Sequence, residues 1–173
     1  GPLVRVPPGG GACQAATGLN RERQERAHVF PQFLPDGRHF LYLARSTKQG
    51  NTAVIVGSLD SKETKLLLPS SSQAVYAAPG LLLFLRDQAL MAQRFDAGRL
   101  EFSGDAFAVA EQIAVNLFGD GMFSASANGV LVFRSGTSGN SQLTWFDRSG
   151  KSLGSAGPPG DYVNVALSAD GKR

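Results

Sequence analysis

An all-β fold built from repeated four-stranded antiparallel sheets is what this sequence predicts, on three observations. The 173 residues include 21 glycines and 9 prolines but only 18% charged residues, a turn-rich and charge-poor composition. A tight turn of the Pro-Asp-Gly type recurs every forty-odd residues, a spacing that marks a repeat architecture. Each turn is followed by an apolar run of strand length.

The first turn is Leu34-Pro35-Asp36-Gly37. Proline presets φ at the first central position, aspartate suits the second, and glycine supplies the left-handed conformation that leads into the next strand. Related turns stand at Ala78-Pro79-Gly80, Ser126-Ala127-Asn128-Gly129 and Ser168-Ala169-Asp170-Gly171. The runs that follow, "RHFLYLA", "LLLFLRD" and "VLVFRSG", read as strands buried on both faces. A second strand comes next in "TAVIVGSLD" (52–60), "QALMAQRFD" (88–96) and "SQLTWFDRSG" (141–150), each with an apolar residue and then Asp near its end. A third follows in "TKLLLP", "AFAVAEQ" and "KSLGSAG", and the segment that leads into each turn supplies the fourth.

Repeated four-stranded sheets with doubly buried middle strands are the sequence form of β-propeller blades. The units expected are 29–69, 74–112 and 122–157, with outer strands of a preceding blade in 1–18 and the start of a further one in 162–173. Three blades and two part-blades imply one portion of a six- to eight-bladed ring.

Composition narrows the function classes. The net charge of +3 comes from 17 basic and 14 acidic residues spread along the chain, without the dense basic stripe that follows a phosphate backbone, so nucleic acid is not an expected partner. Cys13 is the sole cysteine, which rules out an internal disulfide and a multi-cysteine zinc site. The longest apolar run, 81–85, is far short of the roughly 20 residues that span a bilayer. No signal peptide is expected at the N-terminus, and any membrane attachment would come through a longer parent chain.

The residues "FPQFLPDGRHFLYLA" and "LSADGKR" resemble the Pro-Asp-Gly class of WD40-like repeat found in TolB-type propellers, over nearly the whole chain. "SQLTWFDRSGK", "GPPGDYVNVALSADGKR" and "ERAHVFPQFLPDGRHFLY" are similar to the C-terminal propellers of bacterial eukaryotic-like serine/threonine kinases. The resemblance implies a binding or sensor module outside the membrane, attached to a membrane helix and a cytoplasmic kinase domain. Two other settings remain open, a propeller attached to a prolyl-oligopeptidase-like peptidase and a stand-alone TolB-like periplasmic scaffold. Turns at 78–80 and 126–129 depart from the Asp-Gly pattern, which marks Asp36, Gly37, Gly80, Asn128, Gly129, Asp170 and Gly171 as turn-forming residues rather than ligands.

No catalytic set is legible. "GTSGN" (136–140) lacks the second glycine of a nucleophile elbow, and neither a glycine-rich phosphate loop nor a catalytic-loop His-Arg-Asp is present. His28 and His39 are the only imidazoles, and "FGDGMF" (118–123) is too poor in oxygen ligands for a calcium loop, so no metal or cofactor is expected. The antiparallel meander places the Asp-Gly turns at one end of each sheet and the inter-blade connections, with loops 46–51 and 135–141, at the other. Binding groups on a rigid scaffold sit on such variable loops. A protein or small-molecule ligand is therefore expected at the loop end, met by Arg23, Glu25, His28, Asn116, Asp120 and Asp161.

Overall fold

A computed structural model of the chain describes residues 1–126, 130–136, 144–146 and 151–160. All its strands pair antiparallel. Two compact units are present, Gly1–Gly136 and Thr137–Arg173. The first opens with a short hairpin, β1 (Val4–Arg5) and β2 (Gln14–Ala15). A first four-stranded sheet follows, formed in sequence order by β3 (Glu25–Phe33), β4 (His39–Ser46), β5 (Ala53–Ser58) and β6 (Lys65–Pro69). A second has the same topology, with β7 (Ala74–Ala77), β8 (Leu81–Arg86), β9 (Ala89–Asp96) and β10 (Glu101–Ala110). The pair β11 (Phe123–Ala125) and β12 (Leu131–Phe133) ends this unit. In the second unit β13 (Thr144–Phe146) pairs with β14 (Ser152–Ser155).

Why the middle strands carry apolar residues without interruption follows from the pleat, since successive side chains leave opposite faces. Leu41 and Leu43 of β4, with Val54 and Val56 of β5, join Ala74, Leu82, Phe84 and Phe95 of the second sheet in one buried cluster. Phe40, Tyr42, Ala44, Ala53 and Ile55 leave the other face and meet Leu3 and Ala16 of the N-terminal segment. The second sheet repeats the pattern, burying Leu83, Leu90 and Ala92 against Ile113, Phe123 and Leu131. The sheets of this unit therefore stack face to face in chain order. Each large side chain so buried stabilises the stack by about 1.5–3 kcal/mol relative to exposure.

Side chains also join one sheet to the next through the backbone. β7 is an edge strand, and at Tyr76 its free edge is met by the Gln32 amide from β3: Tyr76 N–H donates to Oε1 (2.7 Å) and Gln32 Nε2 donates to the Tyr76 carbonyl (3.2 Å). Gly121 is held likewise, its N–H donating to Ser72 Oγ (2.8 Å) and its carbonyl accepting from Gln73 Nε2 (2.7 Å). Edge groups that would otherwise be open to foreign strands are thus occupied.

The turn between β3 and β4 forms as its sequence dictates. Gly37 has φ +66° and donates to the Leu34 carbonyl (2.9 Å), while Asp36 Oδ1 accepts the N–H groups of Arg38 and His39, each at 3.0 Å. These bonds, with the His39 imidazole on the other carboxylate oxygen, lower the Asp36 carboxyl to about 2. Asp96 makes the same turn with Gly98 and Arg99, and its carboxyl is lowered by the same two backbone donors. Arg38 pairs with Asp60, and its carbonyl accepts Leu59 N–H (3.0 Å), which puts the β3–β4 and β5–β6 connections at one end of the sheet. We refer to it as the turn end.

Three elements differ from the sequence reading. β3 begins at Glu25 rather than near 29, because "ERAH" pairs with the end of β4 instead of remaining a connection. β10 begins at Glu101, before "AFAVAEQ", since pairing resumes directly after the Asp96 turn and crosses an irregularity between Ser103 and Phe107, where Gly104 has φ +65°. β12 is exposed on much of its surface, Val132 at 65%, although it was expected to be buried on both faces. Among the described residues it has a strand on one side only. Asn128, Gly129, Asp170 and Gly171 lie outside the described residues, though Ser126 N–H donates to the Val130 carbonyl (2.9 Å) across the third turn.

Two outcomes test the turn. No atom beyond its chain neighbours would lie within 4 Å of a Cβ at Gly37, so substitution there meets backbone strain and not a clash. Gly37→Val should lower unfolding stability by about 1–3 kcal/mol and Gly37→Asn by much less, since asparagine tolerates positive φ. Equal losses in urea titrations would contradict the assignment. The second outcome follows from Asp36, whose folded pKa lies below the ordinary 3.8. A depressed carboxylate stabilises fully above its unfolded pKa and loses that contribution as pH falls through the folded one. Asp36→Ala should therefore be less stable than the parent at neutral pH, with the gap closing between pH 3.8 and about 2. A gap that persists at the acid end would contradict this origin.

Candidate functional site

At the end of the first sheet opposite to the turns, residues 20–25 are stitched to the β4–β5 loop. The Arg23 guanidinium donates to the Asn51 carbonyl, and the Arg23 carbonyl accepts from Ser46 Oγ (2.6 Å) and Asn51 Nδ2 (3.3 Å). Thr47 N–H donates to the Gln24 carbonyl (3.1 Å). This is the loop end, and five of the six residues expected there lie in two separate groups. Asp161 lies outside the described residues.

The first group is Arg23, Glu25 and His28. Glu25 and His28 are strand residues of β3, with side chains 2% and 0% exposed. His28 Nε2 contacts Glu25 Oε2 at 2.9 Å and Nδ1 contacts Thr17 Oγ1 at 2.8 Å. Thr17 Oγ1 also accepts Leu3 N–H (2.9 Å), and Glu25 accepts Asn20 N–H (2.8 Å) and Arg23 Nε (3.3 Å). For a neutral imidazole one tautomer satisfies every contact, with the Thr17 hydroxyl donating to Nδ1 and Nε2–H donating to Glu25. Tyr42 lies over His28 with ring centres 4.6 Å apart, and burial, aided by the Glu25 charge, pushes its hydroxyl up to about 12.

Hydroxyl, imidazole and carboxylate occur here in the order of an acyl-transfer triad. The hydroxyl oxygen is held between the Leu3 amide and a fully buried imidazole, which suits a clamp that fastens the N-terminal segment to the sheet. Thr17 had no signal in the sequence, since its partners lie eleven and fourteen residues away on different segments.

The second group is on the opposite face. Arg45, two positions beyond Leu43 on β4, pairs with the buried Asp120. Asn116 Nδ2 donates to the other Asp120 oxygen (3.0 Å), and Asn116 Oδ1 accepts the N–H groups of Phe118 (2.9 Å) and Asp120 (3.0 Å). Asn116 and Asp120 thus shape one loop tip, which presents Phe118 at 74% exposure. The Arg45 guanidinium carbon lies 5.9 Å from the Phe30 ring centre and 6.0 Å from that of Phe118. Arg45 is a charged residue in the alternation that buries Leu41 and Leu43, a signal the sequence did carry.

Beside this group opens a cleft of about 500 Å³, lined by Arg26, Arg45, residues 46–50, Thr52, residues 69–71 and Phe118. Its lining includes charged and uncharged polar side chains. A groove of about 580 Å³ between the N-terminal hairpin and Phe33, Phe40 and Leu59 is mostly apolar. Its one charged side chain, Arg5, is turned to Gln14 Oε1 and the Leu59 carbonyl.

Among the described residues, no helix is long and apolar enough to cross a membrane. Comparison with family models, curated proteins and solved structures returns no match to this chain.

Thr17→Val keeps the shape of the clamp but leaves the Leu3 amide and His28 Nδ1 without their partner. It should lower stability by about 1–3 kcal/mol and raise amide exchange at Leu3 and His28. Unchanged stability and exchange would mean that the clamp carries no weight.

Proposed function

We propose that the chain is a non-catalytic binding or sensor module, a run of blades from a TolB-like β-propeller in the extracytoplasmic part of a bacterial receptor-type serine/threonine kinase. The observation that supports it best is the stacking of successive four-stranded meanders in chain order, each burying both faces of its middle strands. Blades of a ring need that relation to the unit before and the unit after. The kinase setting rests on the resemblance of the "SQLTWFDRSGK" and "FPQFLPDGRHFLY" stretches.

Within such a ring the loop end is the binding face. The turn end is closed by short Asx turns that use their own carboxylates, Asp36 and Asp96, on backbone N–H groups. The loop end carries connections of varied length, the polar cleft and the exposed Phe118.

Amide chemical-shift mapping with a mixed library of anionic, neutral and cationic small molecules tests the binding face. Perturbations are expected at 46–51, 70–73 and 116–121. Shifts confined to 34–38 and 59–64 would overturn the loop-end reading. A crystal structure of the parent protein should show these sheets in a closed ring around one axis, and a two-layer sandwich would overturn the propeller.

A further inference from the structure

The cleft beside Arg45 has a charge pattern that specifies its ligand more closely. Its lining includes three cations, Arg26, Arg45 and Lys48, and no carboxylate. Arg45 is neutralised by Asp120, and its Nε is a buried donor without a hydrogen-bond partner. Arg26 and Lys48 make no ion pair among the described residues. Two of the neighbouring hydroxyls are committed locally: Ser46 Oγ donates to the Arg23 carbonyl and accepts Lys48 N–H, and Ser70 Oγ donates to the Ser72 carbonyl. The charged side chains of the cleft are all cationic, beside the uncharged polar side chains of Thr47, Gln49 and Ser71, with Phe118 as an aromatic member of the lining.

We propose that this cleft binds a small polyanion, a molecule with at least two phosphate, sulfate or carboxylate groups. Two cations without ion pairs lining one cleft suit two anionic groups on one ligand. Oxyanions suit arginine and lysine because the first gives a planar pair of donors and the second a compact charge. The cleft volume of about 500 Å³ is room for a ligand larger than a single oxyanion. The proposal rests on the loop end being the binding face.

The test is calorimetric titration of the 173-residue chain with pyrophosphate, citrate and sucrose octasulfate, which separate phosphate, carboxylate and sulfate sources. At least one probe should bind saturably at one site, more weakly as salt is raised from about 50 to 300 mM. Arg26→Gln with Lys48→Gln should weaken it about tenfold, whereas Arg99→Gln with Lys62→Gln, the same charge removed at the turn end, should change it less than about twofold. Shift mapping on the unaltered chain, independent of how the variants fold, should place the probe at residues 46–50 and 70–71. Absence of saturable binding by all three probes, or equal weakening by both double variants, would overturn the proposal. A neutral or cationic ligand bound at these amides in place of a polyanion would overturn it and leave the loop-end reading intact. A polyanion seated at 59–64 would overturn both.

Discussion

Everything in the first unit depends on the burial of β4, β5 and β8 from both sides. Leu41 and Tyr42 are adjacent in sequence and both are buried, yet they belong to different clusters on opposite faces. A strand in that position has no solvated face, so polar side chains are driven to the strand ends and the connections. Its backbone donors and acceptors are satisfied laterally by its own sheet, as the unbroken register of His39–Ala44 on Ala53–Ser58 shows. The polar side chains of these strands are thereby confined to the two rims of the stack.

The two rims differ because their connections obey different demands. At the turn end the carboxylates of Asp36 and Asp96 are consumed by backbone N–H groups within their own turns, and Arg38 by Asp60. At the loop end the connections reach further along the chain, from 20–25 to 46–51 and from Arg45 to Asp120. Arg26 and Lys48, which line the cleft there, make no ion pair among the described residues.

Much of this architecture was legible because its causes are local. Pro35, Asp36 and Gly37 fix a turn by their own φ preferences and hydrogen bonds, and "RHFLYLA" and "TAVIVGSLD" fix strands by length and apolar content. Longer-range features were not legible. The early start of β3 follows from pairing of Glu25 with Ser46, and the exposure of β12 from what lies beside it, neither of which a local window contains. At the candidate site, all six residues were expected at one loop end; Asn116 and Asp120 do share one loop, whereas Glu25 and His28 are residues of β3. That these are two groups on opposite faces was hidden, since it depends on the parity of Tyr42 and Arg45 along β4.

The amide of Gln32 grips Tyr76 by its main chain alone, leaving the tyrosine ring to pack elsewhere, against Phe95. A joint that reads only peptide groups on one side places no demand on the identity of the residue it holds. The residue at position 76 can then change its side chain without loosening this joint. For two stacked sheets of the same topology, such a joint permits their sequences to diverge while the spacing between them is kept.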